Sequence, residues 1–206
     1  MTEEKVVDHT LVGCDDLPSL LATGYRTLSS LPEPILSLAV HFTSDGHEIS
    51  LVGGPVRDAF LGVKAHDFDL TTSALPDETE LIMRDWADAV WTVGREFGTI
   101  AGRKGDLQVE VTTYRTEEYE EDSRKPMVAY GKTLEGDLSR RDFTVNAMAV
   151  RLPELVLVDP FNGLEDLAQG VLRTPVSATQ SFRDDPLRIM RAARFAAQLG
   201  VDVEPE

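Results

Sequence analysis

Ile49-Ser50-Leu51-Val52-Gly53-Gly54-Pro55-Val56-Arg57-Asp58, followed nine residues later by Asp67-Phe68-Asp69, is the stretch on which the fold turns. The first four residues read as a strand that stops at a glycine pair. Pro55 then suits the first turn of a short helix running to Gly62. Strand side chains alternate between faces, so Asp67 and Asp69 share one face and Phe68 is turned to the other. Two carboxylates this close repel unless a cation lies between them. Mg²⁺ suits that place because it takes oxygen ligands and is normally completed by water and substrate phosphates. Taken with the strand Val109-Glu110-Val111 further on, the arrangement reads as a two-metal phosphoryl-transfer site. Each piece also has a plainer reading: a strand-to-helix turn with a surface arginine, or a solvated edge strand.

Outward from this stretch, Leu17 to Leu31 and Ile35 to Phe42 read as short helices in an acidic segment broken by Pro18, Pro32 and Pro34. Downstream, Asp77 to Val90 has helical spacing, with Leu81, Ile82, Trp86 and Val90 on its apolar side. Val90 to Val93, Gly98 to Arg103 and Leu107 to Tyr114 read as strands, the last two joined by the hairpin-like turn Lys104-Gly105-Asp106. Arg115 to Gly136 is rich in acids and reads as a mobile loop. Leu138 to Val150 returns to helical spacing, Val156-Leu157-Val158 reads as a strand, and Ser181 to Leu199 reads as one long amphipathic helix. These elements predict an α+β fold with a mixed, mainly antiparallel sheet and helices on one side.

The chain has 206 residues, 42% of them hydrophobic, and a net charge of -16. That length supports one domain, or one domain and the start of another. Strong acidity cuts against a broad nucleic-acid surface, because such affinity comes from Lys and Arg neutralising phosphates. The arginines cluster instead, at Arg140-Arg141 and at Arg188, Arg191 and Arg194, where they suit a small polyanion. No apolar run reaches the ~20 residues of a membrane span, and the N-terminus lacks a signal-peptide pattern, so a cytoplasmic protein is expected. Cys14 has neither a disulfide partner nor the neighbours of a metal or nucleophile site.

Four segments in order resemble the class II nucleotidyltransferases, the family of CCA-adding tRNA nucleotidyltransferases and bacterial poly(A) polymerases. They are Leu51-Val52-Gly53-Gly54-Pro55-Val56-Arg57-Asp58 to Asp67-Phe68-Asp69, Glu110-Val111-Thr112-Thr113-Tyr114-Arg115, Arg140-Arg141-Asp142-Phe143-Thr144-Val145-Asn146-Ala147-Met148-Ala149, and Asp184-Asp185-Pro186-Leu187-Arg188 through Arg194-Phe195. A lone Gly-Gly or a lone Asp-x-Asp is a weak signal, whereas the four together are highly specific. The resemblance implies a polymerase-beta-like head over residues 47–175, an N-terminal extension over 1–46 and the start of an all-α neck over 176–206. It also implies that the chain is a piece of a longer protein.

The same resemblance implies catalytic roles for Asp67, Asp69 and Glu110, with Asp67 and Asp69 as Mg²⁺ ligands and Glu110 completing a three-carboxylate centre. Gly54 and Arg57 would meet the triphosphate, and Arg141 the nucleotide's sugar and phosphates, supported by Asp142 and Asn146 on one helical face. Asp185 and Arg188, three apart on a helix, share a face. A carboxylate accepts from an exocyclic amine and an arginine donates to ring nitrogens or carbonyls, so the pair can take CTP and ATP and disfavour UTP and GTP. Arg191 and Arg194 lie nearby. The family's usual Glu-Asp reads Asp184-Asp185 here, which puts only a supporting contact in doubt. Asp122 and Arg124 match the acid-basic spacing of the family's flexible loop.

These readings imply addition of CMP and AMP to a tRNA 3′ end, with CTP, ATP and tRNA as partners and no membrane. Poly(A) polymerase and a partial CC- or A-adding enzyme are the rival activities. A nucleotide-binding fragment without turnover is the alternative of another class.

Overall fold

The computed structural model describes residues 16–65, 67–117 and 128–205; Cys14, Asp122 and Arg124 lie outside the described residues. Among the described residues no helix is long and apolar enough to cross a membrane. Helices α1 (Leu17–Leu28) and α2 (Glu33–Ser44) precede β1 (Ile49–Val52) and α3 (Gly54–Phe60). Next come β2 (Phe68–Thr72), α4 (Pro76–Trp86), β3 (Ala89–Trp91), β4 (Thr99–Lys104) and β5 (Leu107–Thr113). A short hairpin of β6 (Arg115–Glu117) and β7 (Val128–Tyr130) leads to α5 (Leu134–Ser139). The chain continues through β8 (Ala149–Arg151), β9 (Val156–Val158), α6 (Gly163–Gln169) and β10 (Val171–Leu172) to α7 (Ala178–Asp184), α8 (Leu187–Leu199) and β11 (Asp202–Val203).

Seven strands form one sheet in the order β3-β4-β5-β2-β1-β8-β9. The pair β2–β5 is parallel and the other neighbours are antiparallel, so the sheet is mixed and mainly antiparallel as its sequence predicts. β1 lies inside it and is buried along its whole length. One face carries Leu51, Leu70, Ile100, Val109 and Val111, which pack in a single core with Leu28, Ile35 and Phe42 from α1 and α2 and with Ile82, Met83 and Trp86 from α4. Each such buried side chain contributes about 1.5–3 kcal/mol against exposure, enough to fix the register through the alternation of sides. On the opposite face α5 covers the β1–β8 end, where Leu134 and Leu138 meet Val52, Ala147, Ala149 and the fully buried Tyr114, and reaches the buried Thr71 of β2 through Asp137. Further across that face Asp69, Glu110, Trp91 and Arg103 are exposed among the described residues.

Four elements depart from the sequence expectation. The helix after Pro76 stops at Trp86, because Val90 joins the edge strand β3. No helix spans 138–150: α5 ends at Ser139, Thr144–Asn146 makes a 3₁₀ turn, and Ala149 already pairs with β1. β-branched Thr144 and Val145 are poor in a helix interior, and the Thr144 N–H is taken by the Arg173 carbonyl at 2.8 Å. The long helix expected over 181–199 is two helices, broken at Asp185-Pro186. Proline lacks an N–H and drives the residue before it out of the α region, and Asp185 is extended at φ -142, ψ 97. Finally, both ends of the expected loop 115–136 are ordered by pairing of β6 with β7.

Candidate active site

The parallel register of β2 and β5 sets Asp69 directly beside Glu110. Phe68 and Leu70 are buried on the core side, so Asp69 emerges on the open face, and Asp67 stands exposed just before the strand begins. The side chain of Asp69 reaches solvent, yet the protein around it removes enough water to raise its carboxyl above the usual value. Burial is the main cause, Asp67 adds to the rise, and Arg141 opposes it.

The three acids are not gathered into a ligand cage. Among the described residues no group of three or more His, Cys, Asp or Glu side chains is gathered closely enough to hold a metal ion in this conformation. Mg²⁺ needs only one or two carboxylates when phosphates and water complete it, so the oxygen donors Asp67 and Asp69 fit that ion.

Beside these acids lies the glycine turn. Gly53 has φ 72 and ψ -137, a region open to glycine. A Cβ there would come within 3.2 Å of Arg141 Nη1, so Arg141 lies over the bare turn that leads into Gly54. Arg141 is held in place by Asp137, a residue the sequence reading passed over. Asp137 is fully buried; its Oδ2 accepts from Arg141 Nη2 at 3.1 Å, and its Oδ1 accepts from Arg140 Nη2 at 3.0 Å and from the Arg115 N–H at 3.1 Å. Burial alone would raise the Asp137 carboxyl, but Arg141, Arg140 and the Arg115 N–H outweigh it and hold the group below the usual range. Burial and the nearby Arg140 pull the Arg115 guanidinium down to about 10. Three arginines thus surround one carboxylate, giving an acidic chain a local positive cluster next to the turn. The spacing of Asp137 to Arg140 and Arg141, at i+3 and i+4, was the available signal.

The other predicted residues form a second constellation. Arg57 is 5% exposed; it donates through Nε and Nη2 to Asp58 Oδ1 (2.9 and 2.7 Å) and through Nη1 to Asn146 Oδ1 (2.7 Å). Its fork is a buried strut, with three of roughly five N–H donors spent internally. Asn146 donates in turn to Asp142 Oδ1 at 3.2 Å, and Asp142 Oδ2 accepts from Arg191 Nε and Nη2 at 2.8 and 2.6 Å. Asp142 and Asn146 are therefore supports, linking α3 to α8 through a 3₁₀ turn rather than along a helix face. The guanidiniums of Arg57, Arg191 and Arg194 lie 5.3, 5.3 and 4.8 Å from the centroid of the buried Phe195 ring. Favourable cation–π contact adds to the packing there.

Asp185 and Arg188 do not share a helix face. Asp185 sits in the break before α8 and accepts from the Leu187 N–H at 3.0 Å, while the buried Arg188 donates to Ser181 Oγ at 2.7 Å and to the Arg140 carbonyl at 2.6 Å. Proline at 186 is again the cause.

The chain is similar in sequence and fold to known proteins. Residues 49–173 match the family described as the poly A polymerase head domain. The CCA-adding enzyme of Streptococcus pneumoniae (strain CGSP14) is 49% identical over 163 residues, which is 78% of this chain and 39% of that protein. The chain thus spans about two-fifths of the length of the curated relatives it matches. Among solved structures, the Bacillus stearothermophilus CCA-adding enzyme in complex with CTP aligns with a TM-score of 0.74 at 35% identity, covering 85% of this chain and 42% of the other. The Thermotoga maritima CCA-adding enzyme complexed with tRNA-CCA aligns with a TM-score of 0.70 at 30% identity, covering 89% and 42%. The chain belongs to the poly A polymerase head-domain family, the class II nucleotidyltransferases that comprise CCA-adding enzymes and bacterial poly(A) polymerases.

Proposed function

We propose that the chain is the nucleotide-binding and catalytic head of a template-independent nucleotidyltransferase that adds CMP and AMP to the 3′ end of tRNA. The observation that carries this reading is the placement of Asp69 beside Glu110 on an open sheet face, next to a bare glycine turn overlain by Arg141. Carboxylates for a metal and a cation for phosphate then adjoin one another. Support for CCA addition over a poly(A) product comes from the names of the relatives, which are CCA-adding enzymes.

In the reaction the 3′ oxygen of the acceptor forms a bond to the α-phosphorus of CTP or ATP, the bond from that phosphorus to its bridging oxygen breaks, and pyrophosphate leaves. A nucleotidyltransferase family implies a divalent metal, and Asp67 and Asp69 would hold Mg²⁺, with Glu110 alongside. When bound, Mg²⁺ supplies Lewis-acid chemistry that lowers the pKa of the 3′-hydroxyl and neutralises charge on the departing pyrophosphate. The chain's own residues position the reactants. Gly53 and Gly54 let backbone approach the triphosphate, Arg141 offers it a guanidinium aimed by Asp137, and the Arg57–Asn146–Asp142–Arg191 relay fixes α8 against the turn. Asp185 would accept from the exocyclic amine of cytosine or adenine, with Arg191 and Arg194 near the base. Arg188 supports α8 through Ser181 and Arg140 in this conformation.

The test is incubation of the protein with tRNA lacking its last three nucleotides, CTP, ATP and Mg²⁺, followed by sequencing of new 3′ ends, alongside calorimetric titration with all four nucleoside triphosphates. Finite CCA with preferential CTP and ATP binding supports the reading, and nucleotide binding without addition supports the non-catalytic alternative for this chain. A long A tail assigns the poly(A) activity instead.

A further inference from the structure

The register of the sheet extends the carboxylate pair into a row. Asp69 pairs with Glu110, Glu110 with Ala101, and Ala101 with Trp91. Directly paired residues point to the same face, so all four side chains stand on the open side. Val90, the neighbour of Trp91, packs on the core side, as alternation requires. Trp91 is on the edge strand β3 and 42% exposed. Trp91 belongs to neither hydrophobic core cluster. Ala101 keeps the floor between Glu110 and Trp91 low, and Arg103, two residues further along β4 and exposed, points to the same face.

Resting on the function proposed above, we infer that this row is the track of the acceptor's single-stranded 3′ end, with Trp91 as a stacking platform for a base and Arg103 as a phosphate contact. The glycine turn, Arg141 and α8 lie toward β1 and β8, on one side of Asp69, which leaves the β5–β4–β3 side for the acceptor. Trp91 is three strand spacings from Asp69, roughly 14 Å. That is the reach of about four stacked nucleotides at ~3.4 Å each, so the indole meets a base within the last four of the strand. An exposed aromatic beside a cation is how single strands are held without sequence readout. Such local contacts would let so acidic a chain hold RNA despite its net charge.

The test is titration of the 206-residue chain with a single-stranded RNA hexamer, read by tryptophan fluorescence. The second tryptophan, Trp86, is 2% exposed and packs under Lys104, so quenching reports Trp91. The expected results are quenching of the wild type, about tenfold weaker RNA binding for Trp91→Ala by a labelled-RNA assay, and affinity within about threefold of wild type for Trp91→Phe, which keeps a stacking ring. For Arg103→Gln the salt dependence of binding should lose about one unit of slope. No quenching of the wild type, or unchanged affinity for Trp91→Ala, overturns the inference. So does a concentration-dependent dimer abolished by Trp91→Ala, which would give the face to a second copy of the chain. CTP binding measured on the same samples separates the failures: retained CTP binding leaves the nucleotide site standing, and its loss in the wild type removes the function on which the inference rests.

Discussion

Asp137 and Arg141 are four residues apart, and the buried carboxylate of the first accepts from the guanidinium of the second at 3.1 Å while Arg141 Nη1 lies over Gly53. Removing the acid leaves Arg140, Arg141 and the Arg115 N–H without their common partner. Breaking a buried pair from one side costs about 3–5 kcal/mol, and because both arginines reach solvent the low end applies. Asp137→Ala should therefore lose about 3 kcal/mol in urea unfolding and bind CTP more weakly. A loss below about 0.5 kcal/mol, the level of an ordinary surface substitution, would show that the cluster does not hold the turn.

The same carboxylate predicts an acid transition. Its folded pKa lies below the unfolded one, so its contribution is fully present above the unfolded value of about 3.9 and is lost as pH falls through the folded one. The stability advantage of wild type over Asp137→Ala should be constant from pH 7 to about 5 and shrink below about 4. Urea midpoints at a series of pH values measure it, and an advantage that persists undiminished at pH 3 contradicts the assignment.

Asp69 behaves in the opposite sense. Its folded pKa is raised, so at neutral pH its charge works against the fold. Asp69→Asn should raise the melting temperature of the metal-free protein slightly, solvent screening keeping the gain small because the residue is exposed. Turnover should fall by ~10³-fold or more, on the scale of removing a principal catalytic group. Adding Mg²⁺ with CTP should stabilise the wild type much more than the variant. Equal stabilisation of both would place the metal elsewhere.

What the sequence disclosed follows from what fixes each element. β1 and β9 were readable to the residue, because an apolar run ended by glycine or set between turns leaves little choice of boundary. The break at Pro186 was also written in the chain, but the amphipathic spacing on both sides masked it. The spacing of Asp142 and Asn146 suited a helix and a 3₁₀ turn alike, and only the Thr144–Arg173 contact and the pairing of β8 with β1 decide between them. Asp69 and Glu110 were recognisable as acids on strands. Their adjacency, and the row on to Trp91, depend on strand order and register, which no local pattern encodes.

The link between head and α8 offers the last prediction. Asp142 is 8% exposed at its side chain and Arg191 45%, so their two short hydrogen bonds form a pair with one end in water. Solvent screens such a pair to about 1 kcal/mol or less, yet it is the end of a relay that begins at Arg57. A double-mutant cycle of Asp142→Asn and Arg191→Gln should give a coupling of about 1 kcal/mol in urea unfolding. The relay also predicts that Asp142→Asn costs more than Arg191→Gln, because Asp142 additionally receives the Asn146 amide and the Phe143 N–H. If the two single variants were equally destabilised and showed no coupling, α8 would be held by Phe195 packing alone.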